Sequence, residues 1–222
     1  MGRWARAFAF LVLANAILLL PGCAQNGVPA QNAGGSDAAF ALPASDVSYY
    51  ARYTVEEGGP MTKEVWRAPD KMRIDLSVQG MRALSFFFVD SRAYSCSHMP
   101  SSPACYDVSG TLSQADAGKL VPREADFSGA MQVESVKIGG TDGKCYETLV
   151  AGFGARKVCF APQGVAAYDS YNVSRTLVHT EYLTDIEYYE PGKGPDAGVF
   201  ALPAQPVAAP GVPVPPAPVV EE

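Results

Sequence analysis

Apolar and polar residues alternate along most of the middle of this chain. The alternation is clean in residues 47–55, 72–78 and 178–188, where apolar side chains fill one set of positions and polar ones the other. A period of two is typical of half-buried β-strands. Turn-forming pairs such as Gly58-Gly59 and Pro69-Asp70 separate these runs at short intervals. The sequence therefore predicts a mainly β domain, a curved antiparallel meander of about nine or ten strands.

One predicted strand breaks the alternation. It contains Phe86-Phe87-Phe88 and is therefore apolar on both faces, so something must cover its second face. The one helix that the sequence favours spans residues 112–120, between capping candidates and a proline. We expect this short helix and its flanking loop to cover the concave side of a strongly curved sheet.

The N-terminus has the form of a secretory signal, because Arg3 and Arg6 precede a mostly apolar run over residues 7–20. A helix of that length rises roughly 21 Å, short of the ~30 Å hydrocarbon core of a bilayer. We predict a signal peptide over residues 1–22. The next residue ends the sequence Leu-Leu-Pro-Gly-Cys23, which resembles a bacterial or archaeal lipobox and implies lipidation of Cys23. An incidental cysteine after a plain signal peptide is the alternative, but the other four cysteines pair evenly without Cys23.

The net charge of the chain indicates which partners it does not favour. The chain has 17 basic and 23 acidic side chains, a net charge of −6. Removal of residues 1–22 leaves 15 basic and 23 acidic side chains, and hence a charge of −8. Such a chain does not favour anionic headgroups or nucleic acid, so the lipid itself must hold it to the membrane. We expect an exported protein anchored to the extracytoplasmic face of a prokaryotic envelope membrane.

Low-complexity segments flank the predicted β domain, residues 45–203. Residues 23–44 comprise the lipidated cysteine and a flexible Ala, Gly, Asn and Gln-rich tether. Residues 204–222 are proline-rich and are predicted to be a disordered tail that builds no ladder, either a solvated end or a spacer or ligand for a proline-binding partner. The pentapeptide Phe-Ala-Leu-Pro-Ala occurs at residues 40–44 and 200–204, where each copy could dock an aromatic and a leucine on the domain.

The four remaining cysteines fall into two pairs. Cys96 and Cys105 flank one loop, and Cys145 and Cys159 flank a candidate turn near Gly152. Each pair could face its partner across a hairpin, close enough for a disulfide that persists in an exported protein. Of the three possible connectivities, the meander favours Cys96–Cys105 and Cys145–Cys159. A four-thiolate zinc site is the alternative, but the spacing lacks the C-x2-C pair typical of zinc, so no metal is expected.

Catalytic motifs are missing from the sequence. It has neither a G-x-S-x-G elbow nor a glycine-rich phosphate loop. His98 and His179 are far apart, and neither has an obvious carboxylate cluster beside it, so both are interpreted as structural. Asp185, Glu187 and Glu190 are interpreted as solvated side chains on the outward face of a strand instead of a glycosidase pair. We therefore expect no enzyme and no cofactor; Asn172 begins a glycosylation sequon, Asn-Val-Ser, which is a weak signal.

Four segments carry a family resemblance. Residues 63–67 (KEVWR), 70–76 (DKMRIDL) and 183–188 (LTDIEY), followed by Phe-Ala-Leu-Pro at 200–203, resemble the lipoprotein-carrier (LolA/LolB-like) superfamily. The hairpin cysteines resemble those of small lipobox-bearing members in archaea and bacteria. The resemblance spans residues 45–203. It implies a half-open antiparallel barrel whose concave face, partly covered by helices, holds acyl chains or other lipids without catalysis.

Two functional hypotheses follow. The first is a membrane-tethered lipoprotein that binds a lipid, an acyl chain or a lipidated protein in a half-barrel cavity. Its candidate lining residues are Tyr49, Tyr53, Met72, Phe86 and Phe88. The second is a non-catalytic structural or sensor lipoprotein that binds another envelope protein through its sheet edges or its proline-rich tail. Side chains that line a cavity would favour the first hypothesis, and side chains that interlock would favour the second.

Overall fold

The computed structural model describes residues 42, 45–57, 59–98, 104–112, 120–138, 141–150, 154–172 and 178–209. Strands dominate these ranges, and two short 3-10 helices, η1 and η2, accompany them. The elements in chain order are β1 (Tyr49–Glu56), β2 (Pro60–Arg67), β3 (Met72–Val78), β4 (Met81–Val89), β5 (Arg92–Ser97), β6 (Ala104–Asp107), η1 (Glu124–Phe127), β7 (Met131–Ile138), β8 (Thr141–Val150), β9 (Gly154–Phe160), β10 (Ala166–Asn172), β11 (Val178–Tyr188), η2 (Ala197–Phe200) and β12 (Pro206–Ala208).

All the strands belong to one sheet, in the order β12-β6-β5-β4-β3-β2-β1-β11-β10-β9-β8-β7. Pairing of β1 with β11 joins a meander of β1–β6 to a second meander of β7–β11, and both are antiparallel. The sheet does not close on itself, because β7 and β12 form its two ends. This confirms the predicted fold class, a mainly β half-open architecture. The described sheet differs from the predicted meander of nine or ten strands, because it has twelve strands, arranged as two joined meanders and an edge strand, β12, that is parallel to β6.

The face of the sheet that we call the inner face carries the main core. Residues directly opposite in an antiparallel ladder point to the same face, so the β1 residues Tyr49, Ala51 and Tyr53 share it with Val65 of β2 and Ile74 of β3. These five side chains are at most 6% exposed and form one cluster with Met72, Phe88, Ala93 and Val165. A second cluster, formed by Phe127, Val158, Phe160 and Ala166, lies farther along the sheet.

The opposite face, which we call the outer face, is covered over β3–β6 by the C-terminal segment. Phe87 is fully buried there with the Cys96–Cys105 pair, and Leu202 and Ala204 pack against this cluster. We name residues 196–208 the strap. The sequence correctly required a cover on both sides of β4, but the strap supplies the outer one. Of the predicted helix over residues 112–120, residues 113–119 lie outside the described part, while Leu112 and Leu120 pack on the inner-face core.

The sequence predicts no ladder in the proline-rich tail, and for Pro206–Ala208 this is wrong. These residues form β12, which pairs in parallel with β6 and places Val207 opposite Tyr106. The physical reason is that β12 lies at an edge and begins with its proline, so Val207 and Ala208 keep their amide donors. Residues 210–222 lie outside the described part, as do Cys23 and the rest of residues 1–41. Within the described part, no helix is long and apolar enough to span a membrane.

Candidate functional site

The five candidate ligand-lining residues are brought together, but as parts of a packed core. Tyr53 and Phe88 are 3% and 1% exposed, and Phe86 packs against the same cluster. Tyr49 and Met72 also belong to that cluster, although one side of each borders a cleft of about 290 Å³. This interlocking is the arrangement that favours the second hypothesis. Ligand binding by these side chains stays a prediction.

The cleft lies at one end of the inner face. Its apolar wall includes Leu42 and Val121, and its rim includes Arg67 and Arg123. A separate depression of about 410 Å³, lined by residues such as Ser48, Pro69 and Glu190, contains none of the five candidates. Burial lowers the pKa of Arg67, whose side chain borders the cleft. The cleft therefore combines an apolar lining with two guanidinium groups and two carboxyl groups, those of Asp46 and Glu124.

The inner face also holds a buried network of charged groups. Lys63 forms an ion pair with Glu181 and donates a hydrogen bond to the carbonyl of Leu120 (3.1 Å). His179 lies between two carboxylates, with Nδ1 2.6 Å from Glu57 Oε2 and Nε2 3.1 Å from Glu181 Oε1. The Tyr171 ring stacks on the imidazole, with centroids 4.6 Å apart. We call Lys63, Glu181, His179 and Glu57 the inner-face ion network.

The network keeps its charges at neutral pH. Burial alone would lower the pKa of His179, but hydrogen bonds and ionic attraction from Glu181 and Glu57 outweigh burial and raise it to about 9. Burial would raise the pKa of Glu181, but Lys63 and His179 lower it to about 2. Two cations therefore balance two anions. A balanced and hydrogen-bonded network of this kind holds the core side chains in one arrangement, and this role requires no catalysis.

Next to this network lies a further buried ion pair. Arg156 Nε and Nη2 donate to the two oxygens of Asp169, at 2.9 and 2.5 Å. The Arg156 guanidinium also lies 5.6 Å from the ring centre of Tyr171, which connects this pair to His179.

The interpretation of His179 as a histidine without neighbouring carboxylates is wrong. Residues two apart in a strand share a face, so the sequence did contain a signal in the pair His179 and Glu181. Glu57 follows β1 and meets His179 only through the pairing of β1 with β11, whose register is not visible in the sequence. The network was missed for that reason.

His98 also has polar neighbours, on the outer face. Ser85 Oγ donates to Asp75 Oδ1 (2.6 Å) and accepts from His98 Nε2 (2.7 Å). Asp75 is fully buried and is held as well by Arg73 (2.7 and 2.8 Å) and by Arg82 (2.7 Å). A hydrolytic triad needs histidine between serine and aspartate. Here the buried serine lies in the middle, so the arrangement orients Asp75 and its arginines instead of activating a nucleophile.

Both predicted disulfides are present. Cys96 lies opposite Cys105 in the β5–β6 ladder, and Cys145 lies opposite Cys159 in the β8–β9 ladder, so each bond links neighbouring strands. Among the described residues, no group of three or more His, Cys, Asp or Glu side chains could hold a metal ion. Asn172 is exposed at the end of β10. Its glycosylation stays a prediction.

The outer face of β7–β11 carries exposed apolar side chains. Leu149 is 83% exposed and lies opposite Ala155 in the β8–β9 ladder, and Val178 is 51% exposed and lies opposite Asn172 in the β10–β11 ladder. Tyr182 is 41% exposed, and its ring centre lies 5.5 Å from that of Tyr168 in the neighbouring strand. We call the exposed outer-face side chains of β8–β11 the open face. The strap packs on β3–β6 instead, and the Cys145–Cys159 disulfide on the same side of β8 and β9 is fully buried.

The two edges of the sheet are poorly suited to strand addition. The β7 edge has an irregular register between Val133 and Val136 and carries Glu134 and Lys137. The β12 edge is three residues long and begins with a proline. Irregularities, charges, prolines and short strands are the features that protect natural edges from pairing. The open face is therefore a better candidate surface than either edge.

Comparisons with known proteins find similarity to solved structures alone. No family model matches the chain, and no curated protein matches it. Among solved structures, it is similar to MucB in complex with MucA(peri), at 16% identity over 70% of this chain and 54% of that chain, with a TM-score of 0.44. The Pseudomonas aeruginosa MucA/MucB complex gives 15% identity over 70% and 55%, with a TM-score of 0.44. An uncharacterised conserved protein from Thermus thermophilus gives 8% identity over 74% and 91%, with a TM-score of 0.48.

The chain spans about half the length of the MucB chains that it matches. Because identity is low and the TM-scores are below 0.5, we take no functional conclusion from these similarities. The lipoprotein-carrier resemblance stays a prediction.

Proposed function

We propose that this chain is an exported, membrane-tethered and non-catalytic binding protein that docks a partner protein on its open face. The observation that carries the proposal is the exposure of two large apolar side chains, Leu149 (83%) and Val178 (51%), on this face. Apolar area left in water costs about 25 cal/mol per Å², and grouped exposed apolar side chains mark interaction sites on soluble domains. The packed inner face supports the same proposal, because its aromatic side chains contact one another.

Charge indicates the chemistry of the partner. Asp185 and Glu187 are exposed and lie on the outer face of β11, since they are opposite Arg52 and Tyr50 of β1. Tyr182 precedes them on the same face. The chain as a whole has a net charge of −6. A partner segment with apolar side chains and neighbouring lysines or arginines complements this surface in both respects.

The tether suits a partner in the same membrane. The lipid on Cys23 would fix one end, and residues 24–44 would connect it to the domain. A flexible chain of that length has an end-to-end distance of roughly 25 Å. The open face would thus work close to the membrane surface, where a second anchored protein is concentrated.

Site-specific photocrosslinking tests the proposal in the native envelope. A photoreactive amino acid replaces Val178 in one variant and Met81 in a control. Met81 is 67% exposed but begins β4, away from the open face. We expect a discrete adduct with one protein from position 178 and none from position 81. The substitution Leu149→Asp should remove the adduct without changing thermal stability. Equal adducts from both positions, or none from position 178, would contradict the proposal.

The cleft supports a second candidate function, the binding of a small amphipathic ligand. Its volume of about 290 Å³ is near the lower end of the range of roughly 300–1,000 Å³ that is usual for ligand sites. Met72 could contact an alkyl chain, while the charged side chains of Asp46, Arg67, Arg123 and Glu124 would face a polar head. A fluorescent fatty acid titrated into the full chain would bind saturably if this function is correct. Ala125→Trp, at the border of the cleft, should then weaken the binding, and the absence of saturable binding would rule it out.

A further inference from the structure

A depression of about 410 Å³ lies at the end of the sheet where β1 begins and β11 ends. Three segments line it: residues 46–48 before β1, residues 68–69 after β2, and residues 189–194 after β11. We call it the β11 depression. It shares Asp46 and Val47 with the cleft, and it includes no residue of the open face or of the inner-face ion network.

Ser48 is the most buried residue of this lining, at 8% exposed. Its main-chain carbonyl accepts a hydrogen bond from the Tyr189 amide (3.0 Å). Its hydroxyl, by contrast, has no hydrogen-bond partner in the part of the chain that the structure describes. A Cβ atom built on Gly194 would lie 3.7 Å from Ser48 Oγ, so glycine keeps open the space beside this hydroxyl. Because buried polar groups normally have a partner, the Ser48 hydroxyl indicates a ligand.

Few hydrogen-bond donors surround this hydroxyl. Six residues of the lining offer no free main-chain N–H, because two are prolines and four already donate within the chain. They are Pro69, Pro191, Val47, Ala68, Tyr189 and Lys193. Acceptors remain, since the carboxylates of Asp46 and Glu190 belong to the same lining. A lining of this composition favours a ligand that is rich in N–H donors.

The charge of the lining favours a cation. It includes two carboxylates and one ammonium group, that of Lys193. Lys193 pairs with Glu190 at 2.6 Å, but the two side chains are 70% and 75% exposed. Such a surface pair contributes little to stability. A cation from outside can therefore replace Lys193 beside Glu190 without disturbing the fold.

An arginine side chain meets these conditions better than other cations. Its planar guanidinium has five N–H donors and no acceptor, so one group can serve Ser48, Asp46 and Glu190 together. It also stacks on aromatic rings, and Tyr189 lines the depression. Free arginine would bring its α-carboxylate close to the two acidic side chains, and like charges repel. An arginine within a polypeptide has no such group.

We propose that the β11 depression binds the guanidinium group of an arginine residue of another polypeptide. The Ser48 hydroxyl accepts one N–H at the most buried point of the site. The carboxylates of Asp46 and Glu190 accept the others and balance the charge. The site contains no residue of the open face, so it does not rest on the proposed function, and either proposal can fail alone.

Saturation-transfer NMR on the full chain in mild detergent tests the proposal. The probe is N-acetylarginine N-methylamide, which has a guanidinium but no charged α-group. Free L-arginine and the uncharged citrulline counterpart of the probe are the comparisons. We expect saturable binding of the probe, binding of free arginine that is weaker by about threefold or more, and none of the citrulline compound. No saturable binding of the probe, or equal binding of the citrulline compound, would overturn the proposal. Equally tight binding of free arginine would overturn the assignment to a polypeptide.

Variants of the full chain place the binding in the depression. Ser48→Ala removes a hydroxyl without a partner, so it should weaken binding about threefold while the thermal unfolding midpoint stays unchanged. Gly194→Val fills the space beside that hydroxyl and should weaken binding about fivefold or more. Glu190→Gln should also weaken it about fivefold, whereas Asp185→Asn removes an equal charge outside the depression and should change it at most about twofold. Unchanged binding in Ser48→Ala and Gly194→Val, or equal effects of Glu190→Gln and Asp185→Asn, would overturn the proposal.

Discussion

Arg73 of β3 donates a hydrogen bond from its guanidinium to the main-chain carbonyl of Val199, at 2.7 Å. The same guanidinium lies 5.0 Å from the ring centre of Trp66 and 5.1 Å from that of Phe87, and it is paired with the fully buried Asp75. Because these groups hold the arginine from several sides, it is a rigid donor. A side chain in the first meander therefore fixes the start of the strap, 126 residues later in the chain.

Loss of this arginine should destabilise the domain. Arg73→Ala leaves Asp75 buried with Arg82 as its remaining charged partner, and breaking a buried ion pair costs about 3–5 kcal/mol. We expect a decrease of about 3 kcal/mol in the free energy of unfolding, measured in urea. Arg52→Ala is the matched control, because Arg52 pairs with Glu64 at the surface and such pairs contribute at most about 1 kcal/mol. Equal losses in the two variants would contradict this account of Arg73.

The inner-face ion network predicts a dependence of stability on pH. The pKa of His179 is raised from 6.5 to about 9, so the folded state binds this proton more tightly than the unfolded state. The stabilisation is therefore complete below pH 6.5 and is lost as the pH rises through about 9. The free energy of unfolding should fall by on the order of 3 kcal/mol over this interval. Urea midpoints measured between pH 6 and 9.5 check it.

The control for this prediction removes the titrating group. His179→Gln keeps hydrogen-bonding capacity but does not ionise, so its free energy of unfolding should change little between pH 6.5 and 9. Glu181 makes the free energy of unfolding depend on pH in the opposite direction at acid pH. Its pKa is lowered from 4.5 to about 2, so its contribution is present above pH 4.5 and is lost as the pH falls through about 2. Parallel pH curves for the wild type and His179→Gln would argue against the network.

Because the inner face is packed, truncation of a large side chain there should lower the free energy of unfolding. Phe88 is 1% exposed and contacts the largest core cluster, so Phe88→Ala should lower the free energy of unfolding by about 3–5 kcal/mol. Met81→Ala, at a residue of the same strand that is 67% exposed, should change it by no more than about 0.5 kcal/mol. A loss below about 1 kcal/mol for Phe88→Ala would instead indicate a roomy cavity at this position.

Membrane attachment is predicted to depend on Cys23. Cys23→Ser should stall processing or release the protein from the membrane fraction, since the acidic chain has no other expected anchor. Cell fractionation together with the intact mass of the purified protein measures this outcome. A mature mass without lipid, or membrane association unchanged in the variant, would refute lipidation.

The alternation of side chains explains how much of the fold was predictable. In Tyr49-Tyr50-Ala51-Arg52-Tyr53 every second residue is buried on the inner face, because strand geometry leaves no other arrangement. The disulfides were predictable for a similar reason, since hairpins are local. The partner of the outer side of Phe87 was not predictable, because the strap reaches it from more than 100 residues away and joins β6 in the one parallel pairing of the described sheet.

In the candidate site, too, local features were predictable and long-range contacts were not. The sequence correctly grouped Tyr49, Tyr53, Met72 and Phe88 on one face, but it did not reveal whether they line a space or fill one. That difference depends on the curvature of the sheet and on which loops pack over it. The neighbours of His179 likewise depend on the register between β1 and β11. Local pattern determines which face a side chain occupies, and long-range pairing determines what it meets there.

If the inner face is a packed core throughout, binding takes place on the outside of the sheet. A native mass spectrum of the full protein, purified in mild detergent from its own membrane, tests this most directly. We expect the mass of a chain beginning at Cys23 with its covalent lipid and no further bound lipid. A stoichiometric, non-covalently bound lipid that persists through purification would contradict it and would support the carrier hypothesis instead.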